Sequence, residues 1–89
     1  MDNDKFKELS EFAVQNWVED HLDKSEPIPK FKVYTVWSTK VLQNNKAMIA
    51  TSLPDGRYFE ATSNGDKLEM YLDVYTKIDN QCIALNKED

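Results

Sequence analysis

Eighty-nine residues, 40% hydrophobic, make one small domain with room for a single core, of the size that buries roughly 60% of its unfolded surface. No stretch approaches the ~20 apolar residues of a membrane-spanning helix, and the N-terminal MDNDKFKELS is acidic where a secretion signal is basic and then apolar, so a soluble cytosolic protein is expected. The net charge of −5 sits in residues 1–26, which hold eight acids against three lysines, whereas residues 27–89 balance at eight and eight.

From Asp4 to Leu22, Phe6, Leu9, Ala13 and Trp17 recur at helical spacing, with Phe12, Val14 and Val18 widening the stripe, and predict a helix over 4–22. DKSEPIP ends it, because Pro27 lacks a backbone donor and both prolines push the preceding residue toward extended geometry. KFKVYTVWSTK is β-branched and aromatic and alternates Phe31, Val33, Thr35, Trp37 against Lys32, Tyr34, Val36, Ser38, which predicts a strand over 31–38. KAMIATSL and RYFEATS flank Pro54-Asp55-Gly56, a turn sequence, so strands over 46–53 and 57–63 form a hairpin. With Leu53 facing Arg57, Thr51 meets Phe59 and Ile49 meets Ala61 on the core side. Ser52, Ala50 and Met48 then meet Tyr58, Glu60 and Thr62 on the other.

The stretch 66–80 carries two readings. As a helix, Asp66 is an N-cap with Glu69 as its reciprocal partner, and Tyr71, Val74, Tyr75, Ile78 and Cys82 share a face. As a strand, Leu68, Met70, Leu72, Val74, Thr76 and Ile78 share a face after Asn64-Gly65, a strong hairpin signal. A two-residue turn there sets Glu60 opposite Glu69, a like-charge pair, and the apolar pattern outlasts a usual strand. The expected fold is therefore α+β: an N-terminal helix, a three-stranded antiparallel sheet and a C-terminal helix, the element order of the double-stranded-RNA-binding fold. The alternative is one helix on a four-stranded antiparallel meander.

The chemistry of catalysis finds little support. Cys82 is a lone cysteine, read as a buried structural thiol, and His21 is read as packing or capping at a helix C-terminus. Gly56 and Gly65 are the two glycines, each explained by a turn, too few for a phosphate-cradling loop. No catalytic residues, metal or cofactor are expected, and the protein is read as a non-enzyme.

Binding fares better. Glu8, Glu11, Gln15, Glu19 and Glu26 fall near one another around the first helix; carboxylates a turn apart, roughly 5–6 Å, resemble successive phosphates and could enter a basic groove built for nucleic acid. Tyr34, Met48 and Tyr58 belong to the face the helices leave open, and both residue types suit interfaces. A protein partner, such as a host nucleic-acid-binding enzyme, is expected at Glu8, Glu11, Glu19, Glu26, Tyr34, Met48 and Tyr58. The alternatives are an RNA or DNA module using Lys30, Lys32, Lys40, Lys46 and Lys67, whose dispersal argues against it, and a self-associating structural protein; a homodimer is compatible with the sequence.

Through WVEDHLDKSEPIPKFKVYTVW and LPDGRYFEATSNGDKLEMYLDVY the chain resembles small uncharacterised proteins of phages and prophages of Gram-positive bacteria, a family of unknown function. The resemblance implies a protein acting in the bacterial host cytoplasm, with an accessory or anti-defence role as an inhibitor. It brings no catalytic residues.

Overall fold

The helix α1 spans Asn3–His21, one residue from the predicted bounds at each end. Asp2 caps it: its Oδ1 accepts the Lys5 N–H at 2.7 Å, while its carbonyl accepts the first helical bond from Phe6 N at 3.1 Å. Four strands follow in the computed structural model, which describes residues 2–22, 25, 27 and 29–86: β1 (Val33–Val41), β2 (Asn44–Thr51), β3 (Arg57–Asn64) and β4 (Glu69–Thr76), antiparallel in the order β1-β2-β3-β4. The architecture is thus one helix on a four-stranded meander. No helix forms over 66–80, and the three-strand, two-helix order is corrected to the alternative.

The reasons lie in the third hairpin. Four residues, 65–68, connect β3 to β4; Asn64 Oδ1 accepts the Asp66 and Lys67 amides at 3.1 and 3.3 Å, and Leu68 turns the chain at φ 55°. This loop sets Asn64 opposite Glu69 and Glu60 opposite Asp73. The like-charge pairing that argued against a strand therefore exists with a different acid, and Lys46 neutralises it from β2, its Nζ lying 3.0 Å from Glu60 Oε1. Asp66 caps no helix.

The second hairpin is set back by two residues from its predicted register: Ile49 lies opposite Phe59, Ala47 opposite Ala61 and Ala50 opposite Tyr58. A two-residue shift leaves every side chain on its expected face. The first hairpin is tighter than predicted. β1 runs on to Val41, β2 begins at Asn44, and Leu42, at φ 57°, and Gln43 make the turn.

Alternation places Val33, Thr35, Ile49, Ala47, Phe59, Ala61, Leu72 and Val74 toward α1. The buried core is Phe6, Val14, Val18, Ala47, Ile49, Phe59 and Ala61. The Ala47–Ala61 pair gives the helix close access to the middle of the sheet. Along α1 the fully covered line is Phe6, Ser10, Val14, Val18, four residues apart; Ser10 fits because its hydroxyl donates to the Phe6 carbonyl at 2.7 Å. Phe12, expected in the stripe, is exposed.

Candidate functional site

One helix covers one face of the sheet, and among the described residues no helix or strand covers the other. Across it run rows fixed by the register: Tyr34, Ala50, Tyr58, Tyr75, then Trp37, Met48, Glu60, Asp73, then Thr39, Lys46, Thr62, Tyr71. Tyr34, Trp37 and Tyr75 are 49, 43 and 39% exposed, and Tyr58 and Tyr75 stack with centroids 4.9 Å apart and planes 9° from parallel. The structure thus brings Tyr34, Met48 and Tyr58 together and adds Trp37, Tyr71 and Tyr75.

Strict alternation from Phe31 sets Trp37 with Val33 and Thr35, on the side opposite Tyr34. A β-bulge between Thr35 and Trp37 overturns this: Thr35 pairs with Ile49 and Trp37 with Met48, leaving Val36 as the extra residue. From there the phase is inverted. Trp37 joins the open face, and Ser38 turns to the helix, where its Oγ accepts the Asn3 side-chain amide at 2.9 Å. Tyr71 and Tyr75 were obscured by the helical reading of their segment.

Carboxylates flank these rings. Glu60 and Asp73 hold the Tyr75 phenol above its ordinary pKa by charge repulsion, and Tyr71 is raised chiefly by its hydrogen bond to Glu69 and also by that group's charge. Lys46 is the single cation in these rows and is already paired with Glu60. An aromatic face with an acidic border suits a cationic side chain better than a phosphate.

The acidic stripe lies elsewhere. Glu8 and Glu19 are exposed on α1, across the sheet from the tyrosines, so the two halves of the expected partner site face opposite ways. Glu11 Oε2 accepts the Thr35 hydroxyl at 2.6 Å, and Glu19 Oε1 accepts the Gln15 amide at 2.6 Å. Glu26 lies outside the described residues.

The lysines of the nucleic-acid reading do not converge on one surface, although Lys30 and Lys32 share a cleft. Lys30 and Lys32 precede β1 beside Gln15 and Glu19, where they line a cleft of about 620 Å³. Lys40, opposite the buried Asn45, belongs to the helix side, Lys46 to the open face, and Lys67 to the β3–β4 loop.

Cys82 is exposed, not buried, because the chain leaves the sheet after Lys77 and residues 78–86 form no strand or helix. His21 stacks on Trp17 at 3.8 Å, its Nδ1–H donating to the Trp17 carbonyl at 2.7 Å; Trp17 in turn meets Phe59 edge-on at 5.5 Å and carries the Arg57 guanidinium 5.2 Å from its ring centroid. Among the described residues no three His, Cys, Asp or Glu side chains converge as metal ligands, and no helix is long and apolar enough to cross a membrane.

Fold and surface together define a small α+β domain with a helix-covered face and an open aromatic one. The chain belongs to a family of unknown function, DUF6275, whose family model matches residues 7–85. No curated protein and no solved structure matches it.

Proposed function

We propose that this chain is a non-enzymatic binding module whose open sheet face engages a protein partner and modulates or inhibits it. The observation that carries the reading is the row Tyr34, Tyr58, Tyr75 with Trp37 and Met48 beside it, large rings on a paired sheet that no described helix or strand covers. Tyr58 and Tyr75 already stack on each other and so lose less freedom on binding, and aromatic residues and methionine are enriched at interface cores. Glu60, Asp73 and Glu69 specify the partner's chemistry: a surface offering arginine or lysine between apolar groups, with the guanidinium or ammonium over a tyrosine ring and against a carboxylate. A strand of nucleic acid also stacks on sheet aromatics, but its phosphates would meet these acids with one paired lysine to offset them.

The resemblance to phage and prophage proteins supports a bacterial host protein as that partner, met in the host cytoplasm. Docking of the acidic helix into a nucleic-acid groove is the second reading. Exposed Glu8 and Glu19 favour it, and the engagement of Glu11 by Thr35 weakens it.

The test is a pull-down from nuclease-treated Gram-positive lysate with three baits: wild type, Tyr58→Ser with Tyr75→Ser, and Glu8→Lys with Glu19→Lys. A protein held by wild type and the helix variant, and lost by the sheet variant, is the expected result. Loss from the helix variant alone moves the site to α1. Retention by all three sinks both readings.

A further inference from the structure

Beside the open face, the sheet ends among the described residues in two edge strands, β1, interrupted by its bulge, and β4, which is regular throughout. β4 is an edge strand of eight residues with no proline; Tyr71 and Tyr75 are exposed on the open face, and on the α1 side Leu72 packs against the core while Met70 and Val74 stay 38 and 37% exposed. An inner strand is covered by its neighbours. An edge strand with exposed apolar groups on both faces is a template on which another strand can pair.

The direction of its free hydrogen-bonding groups follows from one bond. Lys77 N–H donates to the Gly56 carbonyl at 2.8 Å, in the register that sets Thr76 opposite Arg57. In an antiparallel ladder, residues of that parity bond to β3, so Met70, Leu72, Val74 and Thr76 turn their N–H and C=O groups outward.

We infer that β4 pairs antiparallel with β4 of a second copy of this chain, making one eight-stranded sheet, and that residues 78–85 of each copy dock in a cleft of the other. The strand is self-complementary in one register. With Leu72 opposite its own counterpart, Met70 meets Val74 of the second copy, Tyr71 meets its Asp73 and Glu69 meets its Tyr75. Sliding two residues one way sets Asp73 against Asp73, and the other way sets Glu69 against Asp73, like charges in both cases.

The same pairing directs the chain that follows. Thr76 then lies opposite Leu68 of the second copy, so the next residues run past that copy's β3–β4 loop. There an apolar cleft of about 410 Å³ opens between α1 and the hairpin, walled by Leu9, Phe12, Ala13, Leu68 and Met70. Ile78, Ile83 and Leu85 are 96, 70 and 91% exposed, side chains with no place in their own protomer. Eight strand residues fall short of the 20 or so per side of a stable interface. Residues 69–85 together with the cleft walls supply that number.

Sedimentation velocity on the full chain across a concentration series tests this. The expected species has twice the 10.4 kDa chain mass. Val74→Pro removes an outward N–H and leaves the β3 ladder intact, so it should give folded monomer. Tyr71→Glu, a change at an exposed position, sets Glu against Asp73 twice about the axis and should weaken the dimer roughly tenfold or more; adding Asp73→Lys should restore it. Leu85→Asp should weaken it without changing the monomer's thermal stability. Monomer throughout to about 100 µM, or a dimer indifferent to Tyr71→Glu, overturns the proposal. So does a monomer that Leu85→Asp destabilises, which would mean the segment folds back on its own cleft.

Discussion

Lys46→Met isolates the one cation in the rows of the open face. In the native protein Glu60 is flanked by Lys46 at 3.0 Å on one side and paired with Asp73 across β3–β4 on the other. The lysine and glutamate side chains are 49 and 27% exposed, so solvent screens the ion pair and its contribution is about 0.5 kcal/mol. Without Lys46, the Glu60–Asp73 repulsion is uncompensated and costs about another 0.5 kcal/mol. A total near 1 kcal/mol lowers Tm by roughly 4–8 °C in a domain of this size. In an Asp73→Asn background the second contribution vanishes and the loss should fall by about half, a coupling that a double-mutant cycle reads directly. Thermal unfolding followed by circular dichroism at low salt is the assay, and high salt should shrink every difference. Lys46→Met should also push the Tyr75 phenol further up, since Lys46 alone lowers it against Glu60 and Asp73. Equal losses in the two backgrounds at low salt would refute the account of how the sheet tolerates its paired acids.

Gly65→Ala would drive a Cβ into the Gln43 carbonyl oxygen and to 2.9 Å from the Gln43 Cβ, so the two hairpin ends must part; a loss of about 1–3 kcal/mol in urea unfolding is expected. Glu69→Gln removes the chief cause of the raised Tyr71 pKa, and absorbance at 295 nm should show that phenol titrating nearer its ordinary value. The sign follows: a phenol whose pKa is higher folded than unfolded contributes stability that is whole below about pH 10 and is lost as pH rises through its folded value, so wild type should lose more stability than Glu69→Gln above that point. Deleting Val36 removes the bulge residue and leaves Thr35 toward α1 and Trp37 on the open face in strict alternation. The variant should fold with a loss below about 2 kcal/mol and keep Trp37 open to acrylamide quenching.

What could be read from residues alone divides by the range of the interaction. The helix bounds were legible because an apolar repeat and a proline stop are local, whereas the Asp2 cap went unread. Faces of β2 and β3 were legible although their register was not, since a slip of two residues preserves parity. The bulge at Val36 leaves no mark in an alternating pattern until the partner strand is known, and it alone puts Trp37 on the face of Tyr34. The choice at 66–80 was undecidable locally. Asp66 and Glu69 satisfy a capping box, and Asn64-Gly65 satisfies a hairpin; the decision rested on Lys46, some twenty residues upstream, which makes Glu60 opposite Asp73 tolerable. Ser10 was missed as an interior residue because its polarity is cancelled within its own helix.

The helix that did not form explains the surface that did. Four strands at 4.8 Å spacing present a face about 14 Å across between outer backbones, and one helix about 10 Å wide covers roughly the middle of it. Burial follows this width: Ala47, Ile49, Phe59 and Ala61 of β2 and β3 are fully covered, while Val33 of β1 and Leu72 of β4 are partly covered. A second helix would have closed the remaining gap. Its residues were instead spent on β4 itself, and Tyr71, Val74, Tyr75 and Ile78, whose spacing made a helix credible, are the side chains left in solvent. The strand period is met along β3, but beyond Leu72 the segment leaves its apolar side chains largely in solvent. The same strand borders the open face through Tyr71 and Tyr75 and ends the sheet through Met70 and Val74, so pairing at the edge would join the aromatic rows of two copies into one continuous surface. A change confined to the edge should then weaken capture of a partner that spans both copies, while the tyrosines themselves remain untouched.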